Sequence, residues 1–332
     1  MKVPQIIAEA LATGRTRFAF EILPPLKGDG IEPIYHSIDE LLEFDPAYIN
    51  ITCHRETLKQ TVRSDGSADI HLERRRPGTV GIAAAIERKY GIPAVPHLIC
   101  AGESKYTLED QLIDMDFLGL ENLLVLRGDK MPGEASFRPS RDGYSHAVDL
   151  VRQVMAMNEG RLADDSATEP ATGATATKTT RHKTSFAVGV AGYPETHAEA
   201  ASAEDDILRL KQKVDAGAEY IITQLFYDNA RFFDFVNKCR AEGISVPIIP
   251  GIKPLTTIRQ LTLLPQTFAC SIPAELEQKM RAHADDPAAA RRIGLEWCTA
   301  QCRELIAAGI PALHFFPNGR PADILPVLKE IF

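Results

Sequence analysis

The chain has 332 residues and 36.5 kDa, with 45% hydrophobic and 25% charged side chains, which allows two average domains or one large α/β barrel. A net charge of −8 and a pI near 5.7 argue against a nucleic-acid partner, which needs a basic stripe for phosphates. No window approaches the roughly 18 apolar residues of a membrane span, and the N-terminal stretch carries Glu9 and lacks the apolar centre of a secretory signal.

Short apolar, β-prone runs recur in chain order at residues 18–22, 48–52, 94–100, 122–126, 186–191, 220–226, 247–252 and 312–316. Amphipathic helical patterns lie between them, as at 107–118, 147–157, 203–216 and 231–241. Several of these patterns close on a glycine (Gly91, Gly217, Gly243, Gly309) just ahead of the next strand, the αβ junction of a parallel sheet. Alternating strands and helices leave a closed (β/α)8 TIM barrel or an open doubly wound sheet. The open sheet announces a dinucleotide by Gly-x-Gly-x-x-Gly after its first strand, whereas Leu23-Pro24-Pro25 follows here. Gly189-Val190-Ala191-Gly192 falls inside a strand. The barrel is therefore the expected α/β fold, with residues 1–332 as one catalytic domain.

Three stretches stand apart from this rhythm. Arg74-Arg75-Arg76, ahead of Pro77-Gly78, reads as a solvated loop. Residues 158–185 are rich in Ala, Thr and Asp and poor in large apolar side chains, so they read as a mobile insertion before the fifth strand, on the N-terminal face. The six cysteines (Cys53, Cys100, Cys239, Cys270, Cys298, Cys302) form no Cys-x-x-Cys pair and read as reduced thiols of a cytoplasmic protein without structural zinc.

In a parallel barrel the ligand lies beyond the carboxyl ends of the strands. The first expected strand ends near Glu21, whose apolar neighbours Phe20 and Ile22 would raise its pKa and suit it to general-acid work; a satisfied structural Glu is the equal alternative. The second ends in Thr52-Cys53-His54. The third carries His97, a residue type that in an apolar strand is more often core than ligand. The fourth opens onto Arg127-Gly128-Asp129, and the fifth onto Tyr193 and His197. Gln224 follows on the sixth, Gly251 and Lys253 on the seventh, Phe316 and Arg320 on the eighth. Together they make a polar mouth with two acids, no metal-ligand spacing and no nucleophile elbow, which points to an organic cofactor.

With these tips in place the sequence resembles the methylenetetrahydrofolate reductase family. The matching segments are Phe18-Ala19-Phe20-Glu21-Ile22-Leu23-Pro24-Pro25, Pro96-His97-Leu98-Ile99-Cys100, Leu126-Arg127-Gly128-Asp129, Gly192-Tyr193-Pro194-Glu195-Thr196-His197, Lys211-Gln212-Lys213-Val214-Asp215-Ala216-Gly217-Ala218, Ile222-Thr223-Gln224-Leu225-Phe226-Tyr227-Asp228 and Ile248-Ile249-Pro250-Gly251-Ile252. They run in family order from about residue 15 to the C-terminus, and the 158–185 insertion lacks a counterpart.

The resemblance implies a TIM barrel binding FAD, reduced by NADH or NADPH, which then gives way to 5,10-methylenetetrahydrofolate in a ping-pong sequence yielding 5-methyltetrahydrofolate. It places Glu21 as the general acid that opens the imidazolidine ring, and Asp129 as the carboxylate beside the resulting cation and the pterin. It places Thr52, Cys53, His97, Arg127, Gly128, Asp129, His146, Ala147, Tyr193, His197, Ala200, Asp206 and Lys213 at flavin contacts, and Gln224, Gln260 and Arg320 with Asp129 at folate contacts. A homo-oligomer is expected by the same analogy. Cys53 and His146 depart from the pattern where relatives often have tyrosine, and Leu264 stands where some bacterial members place a stacking Phe. A barrel flavoprotein of the proline-dehydrogenase type and a non-catalytic barrel module are the competing readings; retention of both Glu21 and Asp129 with Arg127 and Gln224 speaks against the second.

Overall fold

A computed structural model describes residues 1–164, 181–317 and 319–332. All eight expected runs are parallel strands. They are β1 (Arg17–Ile22) and β2 (Ile49–Ile51), then, after a hairpin of β3 (Thr57–Val62) and β4 (Ala68–Glu73), β5 (Ala94–Ile99), β6 (Asn122–Leu126), β7 (Ala187–Gly192), β8 (Tyr220–Leu225), β9 (Ile248–Ile252) and β10 (Ala312–Phe315). The eight close in the order β1-β2-β5-β6-β7-β8-β9-β10, with Arg17 to Phe20 of β1 in register with Ala312 to Phe315 of β10. This is a TIM barrel.

The helices are α1 (Val3–Thr13), α2 (Glu32–Asp39), α3 (Thr79–Tyr90), α4 (Lys105–Phe117), α5 (Ala147–Asn158), α6 (Ala203–Asp215), α7 (Asn229–Ala241), α8 (Gln260–Phe268), α9 (Ala274–Arg281), α10 (Pro287–Ala307) and α11 (Leu325–Ile331). Among the described residues none is long and apolar enough to cross a membrane.

Period-two alternation decides what faces where. Phe18, Phe20 and Ile22 of β1 join the core under the helices, while Ala19 packs in the lumen with Val95, Leu124, Tyr220, Ile222 and Ile249. Helix α1 closes the bottom of that lumen with Val3, Ile6 and Ile7, and the Val3 amide donates to Asn122 Oδ1 at 2.8 Å. Sequence reading took this stretch only as a non-signal, although its apolar residues at 3, 6, 7 and 10 have helical spacing. Gly189 lets the Tyr220 ring cross the lumen, since a Cβ there would meet the ring at 2.3 Å. The Tyr220 hydroxyl donates to the Leu123 carbonyl at 3.1 Å. Above this floor lies a polar layer of Asn50, His97 and His314, all buried.

The β3–β4 hairpin was not expected, though Asp65-Gly66 between two alternating runs is a hairpin signal. It carries exposed Leu58, Val62, Ile70 and Leu72 along one face. Its stem corrects the reading of Arg74-Arg75-Arg76 as a solvated loop. Arg74 pairs with buried Glu103, the Arg75 carbonyl accepts from the Lys27 amide at 2.9 Å, and Arg76 donates to the Pro24 carbonyl. A carboxylate as buried as Glu103 needs a charged partner, so the chain folds arginine onto it.

The described ends of the 158–185 insertion leave α5 and return to β7. The expected N-terminal placement holds at Asn158 and Thr184, whereas residues 163–164 run along α4 to its first turns, where the Ala163 amide donates to Glu109 Oε2, and so toward the carboxyl-end face. Its ends are tied: Asn158 Oδ1 accepts from Thr184 Oγ1 at 2.7 Å and from the Phe186 amide at 2.9 Å, and Lys105 pairs with Asp164 at 2.7 Å. Residues 165–180 lie outside the described residues. The six cysteines are free.

Candidate functional site

At the rim of β1, Glu21 points into the lumen and makes no hydrogen bond or ion pair with a described residue. Burial without a partner pushes its carboxyl from the ordinary 4.5 to about 8, and nearby Lys253 opposes the shift. On the neighbouring strand, in register with Glu21, Asn50 Nδ2 meets His97 Nε2 at 3.0 Å, leaving His97 Nδ1 and Asn50 Oδ1 buried without described partners. His314 is stacked on Tyr48 with centroids 5.9 Å apart, and neither of its nitrogens has a partner. Burial holds both His97 and His314 down to about 3, so both are neutral in the working range. His97 is thus a buried, neutral lumen residue held beside Asn50.

Across the mouth, β6 ends in a turn that only glycine allows. Gly128 has φ 82°, and a Cβ there would lie 2.7 Å from the Ala101 Cβ. The turn separates Arg127 from Asp129. Arg127 Nη1 pairs with Glu199 Oε2 at 2.6 Å and its guanidinium lies 4.8 Å from the Phe137 ring centre. The Asp129 backbone carbonyl accepts from Arg55 Nη1 at 2.7 Å, while its carboxylate has no described partner. A free carboxylate at the rim, opposite a protonated carboxyl, is the arrangement the strand tips suggested.

The expected flavin contacts continue along one arc of the rim. Thr52 hydroxyl donates to the Ile22 carbonyl at 2.6 Å. Cys53 is partly buried, which pushes its thiol up to about 11 and keeps it neutral. Tyr193 and His197 form an edge-to-face pair with centroids 4.7 Å apart, and the His197 amide donates to Asp206 Oδ2 at 2.9 Å. Ala200 follows in the same loop, its amide bonded to the His197 carbonyl at 2.9 Å. Lys213 Nζ donates to the Ala191 carbonyl at 2.7 Å, and burial lowers its pKa to about 8 against the pull of Asp206. His146 and Ala147 open α5 beside the β5 tip, where Cys100 Sγ approaches the His146 carbonyl at 3.7 Å.

The expected folate contacts occupy the other arc. Gln224 Oε1 accepts from the Leu225 amide at 2.9 Å, which leaves its NH2 for a ligand. Gln260 Oε1 accepts from the Thr256 and Thr257 amides at 2.7 and 3.0 Å, so it too presents only its NH2. Arg320 is exposed past β10, its side chain without a described partner. Leu264 is buried with Leu225, Tyr227 and Leu255, and the aromatic rings packed on that cluster are Phe268, Trp297 and Phe316. The structure therefore gathers the predicted residues around one mouth, with His97 buried beside Asn50. It adds Asn50 and His314, which sequence reading passed over; their only signal is that each sits two residues before an inward-facing rim residue, Thr52 and Phe316.

A family model described as methylenetetrahydrofolate reductase matches residues 6–331. The chain is similar to Methylenetetrahydrofolate reductase (NADH) 1 of Zea mays, 30% identical over 340 residues that cover 100% of this chain and 51% of that protein. It is also similar to 5,10-methylenetetrahydrofolate reductase of Escherichia coli K12, 29% identical over 92% of this chain and 88% of that one. The chain spans about half the length of the curated plant relatives it matches. A solved structure described as an uncharacterized protein from Clostridium thermocellum that binds two copies of 5-methyl-5,6,7,8-tetrahydrofolic acid superposes with TM-score 0.57 at 15% identity, over 98% of this chain and 97% of that one, which shows a shared fold.

Proposed function

The chain belongs to the methylenetetrahydrofolate reductase family, and on that premise we propose that it reduces 5,10-methylenetetrahydrofolate to 5-methyltetrahydrofolate, with NADH or NADPH as donor and FAD as bound carrier. The observation that carries the reading is Glu21: a carboxyl protonated up to about pH 8, without a partner among the described residues, at the rim of a closed barrel and across from the carboxylate of Asp129. The residues present fit a flavin dinucleotide. The orphaned His97 Nδ1 is buried in the lumen, and the Gly128 turn leaves no room for a side chain. Thr52, Cys53, Arg127, Gly128, His146, Ala147, Tyr193, His197, Ala200, Asp206 and Lys213 would hold it.

FAD, when bound, supplies hydride transfer from the nicotinamide to the folate methylene carbon. The protein supplies the rest. Glu21 gives its proton to the folate amine that leaves as the five-membered ring opens. Asp129 faces the cation so formed and stabilises it by its charge. The NH2 groups of Gln224 and Gln260 meet the pterin edge, and Arg320 the anionic tail. Nicotinamide and folate use the same mouth in turn, and residues 1–332 act as one catalytic domain.

The test separates the two half-reactions. FAD-loaded protein is expected to bleach with NADH or NADPH, and to regain its colour with methylenetetrahydrofolate while methyltetrahydrofolate appears. Protein that takes up no FAD overturns the flavin reading. Protein that is reduced but transfers nothing to folate overturns the substrate.

A further inference from the structure

Resting on the reading of Glu21 as proton donor, we propose that Lys253 is a positioning residue for this reaction: its ammonium governs how firmly Glu21 holds its proton, and so sets the pH window of folate reduction. The register of three adjacent strands places the two groups. Phe20 of β1 pairs with Phe315 of β10, and Phe315 pairs with Ile252 of β9. One residue further along each strand, Glu21, Phe316 and Lys253 form a row across the three strands. Phe20, Phe315 and Ile252 all belong to the outer core, so by alternation the row faces the lumen. Strands about 4.8 Å apart put alternate strands about 10 Å apart, with only the Phe316 ring between the two charges.

That ring is fixed. It packs against Gly251, where a Cβ would meet it at 2.5 Å. The Phe316 carbonyl accepts from Lys253 Nζ at 3.0 Å and anchors the ammonium of a residue that is 8% exposed. An aromatic wall in place of water keeps the local dielectric low, so the charges interact at this range.

The other charged groups around the pair are accounted for. Lys253 faces Asp323 and Glu21, which favour its charged form, and Arg320, which repels it; burial lowers its pKa. Among the described residues, Glu21 faces no cation other than Lys253. His97 and His314 are neutral. A buried, unpartnered carboxyl by itself holds its proton too firmly to release it to an amine. The cation two strands away makes the carboxylate attainable.

The experiment uses FAD-loaded protein reduced beforehand and mixed with methylenetetrahydrofolate in a single turnover across pH 6 to 10. The Glu21 carboxylic-acid stretch is followed in parallel by infrared titration and assigned with Glu21→Gln. The rate should fall on the alkaline side as Glu21 loses its proton. In Lys253→Met that limb and the carboxyl titration should both move up by about one pH unit, the size expected for charges about 10 Å apart at an effective dielectric of ~20. Lys253→Arg should restore both, which loss of packing alone would not predict. An unmoved limb and an unmoved carboxyl band in Lys253→Met overturn the inference while leaving Glu21 as acid. A Glu21→Gln protein with the wild-type limb overturns the reading of Glu21 itself, and the inference with it.

Discussion

Glu21 and Asp129 are both rim carboxyls, and burial sets Glu21 apart. Glu21 is raised to about 8 by burial, so the folded state binds its proton more tightly than the unfolded chain does. Its ionisation therefore costs nothing below about pH 4.5 and destabilises increasingly as pH rises to about 8. Glu21→Gln should match wild type in thermal stability near pH 4.5 and exceed it by up to a few kcal/mol above pH 8. A constant difference across that range would show that the carboxyl is not raised. In the half-reactions the same variant should keep FAD and its reduction by nicotinamide but lose transfer to folate. Asp129→Asn keeps the shape and removes the charge facing the cation. It should slow folate reduction about 10- to 100-fold and weaken folate binding, with nicotinamide oxidation little changed. Stopped-flow traces of the two half-reactions measure both.

At the scale of elements, β7 and the hairpin depend on single contacts. Gly189→Ala would drive a methyl into the Tyr220 ring, which is fully buried and cannot swing away, so a loss of about 1–3 kcal/mol is expected in urea unfolding. Arg74→Ala leaves Glu103 buried and unpaired. It should cost about 3 kcal/mol and make the Asp65-Gly66 turn more readily cleaved by protease; an unchanged cleavage rate would show that Arg74 does not hold the stem. The eight barrel strands were legible because parallel strands covered on both faces read as continuous apolar runs. The hairpin was passed over because β3 and β4 alternate Leu, Val and Ile with Lys, Gln and Asp and bury little, a pattern that resembles loop. Helix α1 was passed over for a related reason: its apolar stripe has the right spacing but is short.

For the whole molecule, α1 is the bottom of the barrel. Ile7 is fully buried against the lumen residues, and Ile7→Ala should cost about 2–5 kcal/mol in global urea unfolding. A loss confined to α1, with the barrel transition unmoved, would show that the plug and barrel unfold separately. Closure also explains the site. Gln224, Gln260 and Arg320 share one end of the barrel with Glu21 only because β10 returns to pair with β1, residues almost 300 positions apart in the chain. 

The sequence by itself determined the eight barrel strands, the barrel and the family. Each of these is written in local periodicity or in short motifs whose order survives without any contact being known. Only the tertiary structure decided which rim groups are free and which are engaged. Among the described residues Glu21 and the Asp129 carboxylate are unpartnered, Gln224 and Gln260 have one end occupied, and His97 is buried against Asn50. The same holds for the row of Glu21, Phe316 and Lys253. Burial and charge proximity, which set protonation, are properties of the closed barrel, and no stretch of chain carries them alone.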